Sequence, residues 1–441
     1  MKSKSLFNND HDSLIIKHMK QDPLISRYQE VISPVIGHFT DKVFERGEGC
    51  FLIGKDHQRY LDFTSGIAVT STGHCHPKIV AALKDQAEKL FHCSIGMGYY
   101  EAPVRLAETL NKMLEDAYQA YFCQSGAEAV EAAVKCALYV TQRPRFLSHT
   151  GGFHGRTMGA LSMTAKEKYR VRYESLLGQK VDFLPYPDPY REGWANSEQS
   201  VESFRIILEK TALFTKEVAA VLIECIQGEG GYIPAPKNYL LALESLCKEH
   251  GILLICDEIQ SGIGRTGKHF SFQHYGLSPD IITLAKGLGS GVPIGACLAK
   301  TEHMQKWDTS HHGSTYGGNA LVCEVAQATL SVINPLLNTV ETLGEKALLK
   351  LKNELKDHPN VGEIRGKGLM IGLELVQDKE KKVPNPDLVT QIRKACLDQG
   401  LLIIFCGEYG QVIRLIPPLI IDEETLIQGL DILISVLNAH R

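Results

Sequence analysis

The chain has 441 residues and lacks any unbroken apolar run of the ~20 residues that a membrane-spanning helix needs; stretches such as Ile252–Cys256 and Leu419–Ile421 fall far short. Met1–Met19 mixes Lys, Asn, Asp and His and has no apolar centre, so no secretory signal is expected there. Positive charge is not in excess: 47 Lys and Arg stand against 51 Asp and Glu, for a net charge of −4. No global field favours nucleic acid. The twelve cysteines form no C-x-x-C pair, and Cys123, Cys256 and Cys297 sit inside apolar stretches. Buried reduced thiols and a cytoplasmic location explain this better than a disulfide framework. There is no internal repeat and no low-complexity segment, and the charge run Asp378–Lys382 reads as a solvated loop. What is present is ample core material, 44% hydrophobic against 22% charged residues.

The patterning changes twice along the chain. Residues 1–40 are polar and read as an irregular arm, and 42–63 alternate with glycines as short antiparallel strands. From 77 to 333, apolar strands alternate with helices, which implies a largely parallel sheet covered on both faces. Residues 334–441 return to a smaller α+β pattern. The expected division is 1–76 (arm and part of a small domain), 77–333 (large domain) and 334–441 (the rest of the small domain).

Four segments carry candidate chemistry. In Thr283-Leu284-Ala285-Lys286-Gly287-Leu288-Gly289 a lysine follows an apolar strand, and small neighbours leave room for a bulky planar group. A buried amine there would have a lowered pKa and could act as a nucleophile. Asp257 ends the apolar stretch Ile252–Cys256, where an unpaired carboxylate is costly. It either caps the next loop or meets a protonated ring nitrogen, and Gln260 lies three residues on. Ser125-Gly126-Ala127 joins a strand to a helix-forming run, so Ser125 can be a plain N-cap or the segment can hold a phosphate on free N–H groups. In Gly151-Gly152-Phe153-His154-Gly155-Arg156-Thr157 the aromatic can stack on a flat ring and Arg156 can clamp a carboxylate; read alone, the one is a core anchor and the other a surface charge.

Two other patterns compete. Gly262 to Lys268 fits the G-x-x-x-x-G-K spacing of a P-loop nucleotidase, but position 269 is His rather than Ser or Thr, and the loop does not open its own strand–loop–helix. His74-Cys75-His76 has no further partners to complete a metal site, and Pro77 marks it as the entry to a helix. No metal is expected.

Together these segments resemble the class III, or ω-, aminotransferases of pyridoxal-5′-phosphate (PLP) fold type I, from about Pro34 to the C-terminal helix. Further matching segments are Gly66-Ile67-Ala68-Val69, Gln227-Gly228-Glu229-Gly230-Gly231, Gly313-Ser314-Thr315-Tyr316-Gly317-Gly318-Asn319, and Arg414 before Pro417. The resemblance implies PLP as cofactor, on a large domain with a mostly parallel sheet plus a small α+β domain from both chain ends. It implies that Lys286 attaches the cofactor as a Schiff base and that Asp257 pairs with the pyridine nitrogen. Gln260 would meet the phenolic oxygen, Phe153 would stack on the ring, and Ser125, Gly126 and Ala127 would cup the phosphate; His154 is counted with these contacts. Thr315 would reach the cofactor of a partner subunit, so a homodimer with shared sites is implied. Arg156 would take a distal carboxylate and Arg414 the α-carboxylate of glutamate or 2-oxoglutarate, with Glu229 covering Arg414 for other donors. Ile67 stands where ornithine enzymes tend to carry tyrosine, which disfavours ornithine. The expected reaction moves the amino group of 4-aminobutyrate to 2-oxoglutarate, giving succinate semialdehyde and glutamate; the alternative is N-acetylornithine, or ornithine or a diamine. Cys225 and Ala320 replace prolines usual in the family, and neither is expected to touch the chemistry.

Overall fold

The computed structural model describes residues 22–178, 180–192 and 216–441. A helix, Pro23–Val31, opens the described chain, capped by Asp22, whose carboxylate accepts from Leu24 N at 2.8 Å. The expectation of an irregular arm over 1–40 is therefore corrected for 23–31. Pro23 at the first helical position and an Asp cap outweigh the polar composition. Residues 1–21 lie outside the described residues.

Three antiparallel strands follow, Phe44–Glu48, Phe51–Gly54 and Arg59–Asp62, and Leu401–Leu402 from the far end of the chain adds a parallel fourth. The central sheet has seven strands in the order Tyr118–Cys123, Gly295–Lys300, Ile281–Leu284, Leu253–Asp257, Val218–Ile223, Arg145–His149 and Lys180–Leu184. Gly295–Lys300 runs antiparallel to both neighbours, and the other pairs are parallel. The central strands are buried along their whole length, as a sheet covered on both faces requires. The helix Gly126–Thr141 packs on one face through Ala129, Val130, Ala132 and Ala133, whose small side chains let helix and sheet approach closely.

The C-terminal part pairs Val361–Lys367, Met370–Asp378, Val412–Leu415 and Ile404–Cys406 in an antiparallel sheet, with helices Leu337–Leu355, Pro386–Asp398 and Glu423–Ala439. Two elements here were not foreseen. Strand Val361–Lys367 carries Glu363 and Arg365, and Ala320–Ile333 is a helix with Asn319 as its cap. The helical run Ala320–Leu355 meets length and hydropathy criteria for a membrane span, but a tight turn at Asn334–Leu336 interrupts it. Its first helix buries Cys323, Val325, Ala326 and Leu330 against helices Pro77–Ala87 and Glu101–Lys112, so it is a core element.

The parallel strands deliver their carboxyl ends to one edge of the sheet, which is where open α/β folds place ligands. Ser125 follows one of these strands, Asp257 ends a second, and Lys286 lies just beyond a third.

Candidate active site

A cavity of about 350 Å³ opens at this edge. Lys286, Asp257, Gln260 and Phe153 line it. So do His154, Glu229 and the segment Ser125, Gly126 and Ala127. Nine of the thirteen residues singled out in the sequence thus share one cavity.

Lys286 sits at φ +43°, a left-handed conformation that costs a residue with a side chain of the order of 1–3 kcal/mol. The strained turn aims the lysine into the cavity. The next loop is tied down: Ser290 Oγ accepts from Thr72 N at 2.9 Å and meets Thr72 Oγ1 at 2.7 Å. Lys286 Nζ makes no hydrogen bond to the described residues. Burial, and then the positive charge of Arg414, lower its pKa to about 8. A nucleophilic amine is thereby partly neutral near physiological pH.

Asp257 is 4% exposed and fully engaged on the protein side. Its Oδ1 accepts from Ile259 N at 3.0 Å and Thr283 Oγ1 at 3.2 Å, and its Oδ2 lies 2.7 Å from His154 Nδ1. Burial alone would lower the His154 pKa, but the hydrogen bond and charge of Asp257, with Glu224 beyond, raise it overall. The contact ties the His154 ring to the Asp257 carboxylate inside an apolar surrounding.

Glu224 was missed as a functional candidate. It lines the cavity, and its carboxylate accepts from Phe153 N at 3.0 Å and Gly228 N at 2.8 Å. It thus bridges the loop that carries Phe153 and the loop that carries Glu229. Burial raises its pKa. The signal was available: a charged residue closes the all-apolar strand Val218–Ile223, as Asp257 closes its own strand. Cys225, beside it, is buried with its Sγ 4.0 Å from that of Cys256 and does not line the cavity.

Ser125 caps the helix Gly126–Thr141, with its Oγ accepting from Glu128 N at 3.2 Å. The plain capping reading and the anion reading are compatible, because the N–H groups of Gly126 and Ala127 stay at the cavity wall. Gly126 leaves little room for a side chain: a Cβ would stand 3.0 Å from Ile259 Cδ1, which would have to give way.

Gln260 Oε1 is buried with no partner among the described residues. Gln260 is also a lining residue of the cavity, so a polar ligand atom bound beside it could satisfy this oxygen. A strand-end carboxylate, an unbonded amine, an aromatic wall and a helix N-terminus accompany it. The set fits a flat, phosphorylated pyridine with a carbonyl group.

Arg414 is buried, and its Nη1 lies 3.0 Å from Glu229 Oε2. Its Nε has no partner among the described residues. Arg156, Ile67 and Thr315 do not line the cavity. Arg156 is exposed, with its guanidinium 4.4 Å from the Tyr169 ring centroid and 5.7 Å from that of Phe153. It has no carboxylate partner among the described residues. Nothing in the sequence pointed to Tyr169. Ile67 is 39% exposed with φ +68°, two residues from the lining residue Val69. Thr315 is exposed, next to Ser314, whose Oγ is 3.0 Å from the Gln124 amide on the cavity wall. His74 Nε2 is 2.9 Å from Asp62 Oδ2, and Lys268 of the P-loop-like segment is exposed.

The sequence matches the family model of aminotransferase class III over residues 35–437. It is 42% identical over 396 residues to the acetylornithine aminotransferase of Archaeoglobus fulgidus, covering 89% of this chain and 95% of that one. It is 34% identical over 414 residues to the 4-aminobutyrate aminotransferase of Escherichia coli, covering 93% and 96%. Among solved structures, taurine:2-oxoglutarate aminotransferase from Bifidobacterium kashiwanohense, in complex with PLP and glutamate, superposes with a TM-score of 0.89 at 27% identity, covering 96% of this chain and 99% of that one. The fold, the cavity at the strand ends and these matches lead to one conclusion: the chain belongs to the class III aminotransferases, of PLP fold type I.

Proposed function

We propose that this PLP-dependent aminotransferase takes the terminal amino group of an ω-amino acid, with 4-aminobutyrate as donor and 2-oxoglutarate as acceptor. The products are succinate semialdehyde and glutamate. The observation that carries the reading is the 3.0 Å pair between Glu229 and Arg414 at the cavity. An enzyme that must accept both an α-amino acid and a donor without an α-carboxylate needs an arginine that can be covered. A buried arginine left without a partner costs roughly 3–5 kcal/mol. Glu229 removes that penalty for the ω-donor and swings away when glutamate brings its own carboxylate.

PLP is the cofactor and, when bound, supplies an electron sink for the substrate carbon that bears the nitrogen. Lys286 Nζ would hold it covalently and, once displaced by the donor's amine, would be free to move the proton from that carbon to the carbon of the cofactor that Lys286 had held. Asp257, held in place by His154, would pair with the pyridine nitrogen. Gln260 meets the phenolic oxygen, Phe153 covers the ring, and Ser125, Gly126 and Ala127 hold the phosphate. Arg156 takes the far carboxylate of the donor, and Ile67 borders the same path. Thr315 serves the site of a second subunit, which makes a homodimer the working unit. A cytoplasmic location and a division at residues 76 and 333 complete the proposal.

A second reading has N-acetylornithine as donor. It is favoured by the higher identity to the acetylornithine enzyme of Archaeoglobus fulgidus than to the 4-aminobutyrate enzyme of Escherichia coli. N-acetylornithine also presents a carboxylate at the end away from its reacting amine. The test records near-ultraviolet and visible absorbance of the PLP-loaded protein as single donors are added. A shift to the pyridoxamine form with 4-aminobutyrate, reversed by 2-oxoglutarate, supports the first reading. A shift with N-acetylornithine alone replaces it with the second. No shift with any ω-amine, against a clear one with glutamate, overturns both.

A further inference from the structure

Three adjacent strands bring Arg365, Gly372 and Arg414 into register, Arg365 opposite Gly372 and Gly372 opposite Arg414. Directly opposed residues of antiparallel strands share a face, so the two arginines flank a glycine in one row. The loop that carries Glu229 lies over this row. Gly372 admits it: a Cβ there would stand 3.0 Å from Tyr232 Cβ and 3.2 Å from the Gly231 carbonyl oxygen.

The two arginines are used differently. Arg365 donates twice to the Gly231 carbonyl, from Nε at 3.0 Å and Nη2 at 2.7 Å. Its Nη1 meets Glu363 Oε2 and Glu374 Oε2, each at 2.6 Å, and Glu374 is held in turn by Arg191. Its charge is matched by two carboxylates and its fork is saturated. Arg414 has one carboxylate, Glu229, and an unpartnered Nε.

The Glu229 loop is tied down at three of its residues. Gly228 N donates to Glu224 at 2.8 Å, Gly407 N donates to the Glu229 carbonyl at 2.9 Å, and Arg365 grips the Gly231 carbonyl. With the backbone fixed, only the Glu229 side chain is left to exchange.

We infer that Arg365 is a positioning residue for substrate discrimination: by clamping the Gly231 carbonyl it holds the Glu229 backbone still, so that the carboxylate closes on Arg414 for ω-amine donors. The inference rests on the proposed role of the Glu229–Arg414 pair. A looser loop weakens the closed pair and uncovers Arg414. That penalises donors without an α-carboxylate and spares glutamate.

Arg365→Lys keeps a positive charge beside Glu363 and Glu374 but cannot fork onto the carbonyl. Single-turnover rates of the PLP-loaded variant would be measured with glutamate and with the ω-amine donor of the wild type, alongside thermal unfolding. The expected result is a kcat/KM for the ω-donor that falls on the order of fivefold more than that for glutamate, mainly through KM. Calorimetric binding of 2-oxoglutarate to the PLP form, where no turnover occurs, is expected to tighten by about twofold to fivefold, because the acid competes with a weakened internal pair. Glu229→Ala is measured in parallel. If Glu229→Ala shifts the donor ratio and Arg365→Lys does not, the role of Arg365 is overturned and the switch stands. Equal losses with both donors in Arg365→Lys, or weaker 2-oxoglutarate binding, also overturn it. If Glu229→Ala leaves the ratio unchanged, the switch reading falls and this inference with it. Should Arg365→Lys fail to fold, Gly372→Ala crowds the same carbonyl from beneath and is expected to shift the ratio in the same direction; an unchanged ratio there counts against the clamp.

Discussion

His154 Nδ1 and Asp257 Oδ2 lie 2.7 Å apart, and both side chains are buried at the end of the central sheet. The pair links a loop after one strand to the tip of another. It fixes the carboxylate whose charge the proposed chemistry depends on.

That pair has a pH signature. The folded pKa of His154 is raised above its ordinary value of 6.5. Its stabilising contribution is therefore fully present below about pH 6.5 and is lost as pH rises through the raised folded value. In the cofactor-free protein, His154→Gln is expected to cost about 1.5–3 kcal/mol at pH 6, and less at alkaline pH. Denaturant unfolding of both proteins across this range checks it; a cost that grows with pH would contradict the assignment.

Lys286 gives a second pH dependence, in a rate. With a pKa near 8, the amine is about one-tenth neutral at pH 7 and mostly neutral at pH 9. Covalent capture of PLP by the cofactor-free protein, followed by stopped-flow absorbance, is expected to accelerate with pH and level off above about pH 8. Lys286→Ala is expected to show no lysine-bound absorbance and no turnover. Retention of both would remove the assignment.

Arg156 stacks on Tyr169 at 4.4 Å and has no carboxylate partner among the described residues. If it takes the donor's far carboxylate, Arg156→Ala raises KM for that donor roughly 10- to 100-fold, the size of a charge-assisted hydrogen bond. Tyr169→Ala removes the cation–π contact with Arg156 and the edge-on contact with the Phe153 ring at 5.7 Å, and is expected to raise KM about twofold to fivefold. Steady-state kinetics with a carboxylated donor and with a plain diamine separate the cases, since the diamine should be nearly indifferent to either change.

Gly344 lies inside the helix Leu337–Leu355, where alanine is normally better by about 1 kcal/mol. Here a Cβ would sit 2.2 Å from the Gly368 carbonyl oxygen, a backbone atom that cannot step aside. Gly344→Ala is expected to destabilise by about 1–3 kcal/mol, with overpacking outweighing propensity. A thermal unfolding midpoint at or above that of the wild type would show that the helix shifts freely against the loop.

The large sheet was legible because its strands are short apolar runs closed by turn residues, and the helix after Ser125 because its cap and small residues are local signals. Asp257 and Lys286 stood out as polar residues at the ends of such runs. Strand Val361–Lys367 did not, because Glu363 and Arg365 break the apolar alternation; Arg365 meets Glu374 and the Gly231 carbonyl, partners outside the strand, and Glu363 pairs with Arg365. The helix Pro23–Val31 was hidden by its polar composition, although Asp22-Pro23 carried the cap.

By itself, the sequence determined the strands of the large sheet and set Ser125, Asp257 and Lys286 at or just beyond strand ends, because strand patterning and capping act over a few neighbouring positions. Only the tertiary structure decided that Glu224 spans two loops, that Arg365 is saturated while Arg414 keeps a single carboxylate partner, and that Arg156 leans on Tyr169. Glu224 meets Phe153 from 71 positions away, Arg365 meets Gly231 from 134 and Arg414 meets Glu229 from 185, and Arg156 reaches Tyr169 only through the path of the intervening chain; no local rule of the sequence encodes such contacts.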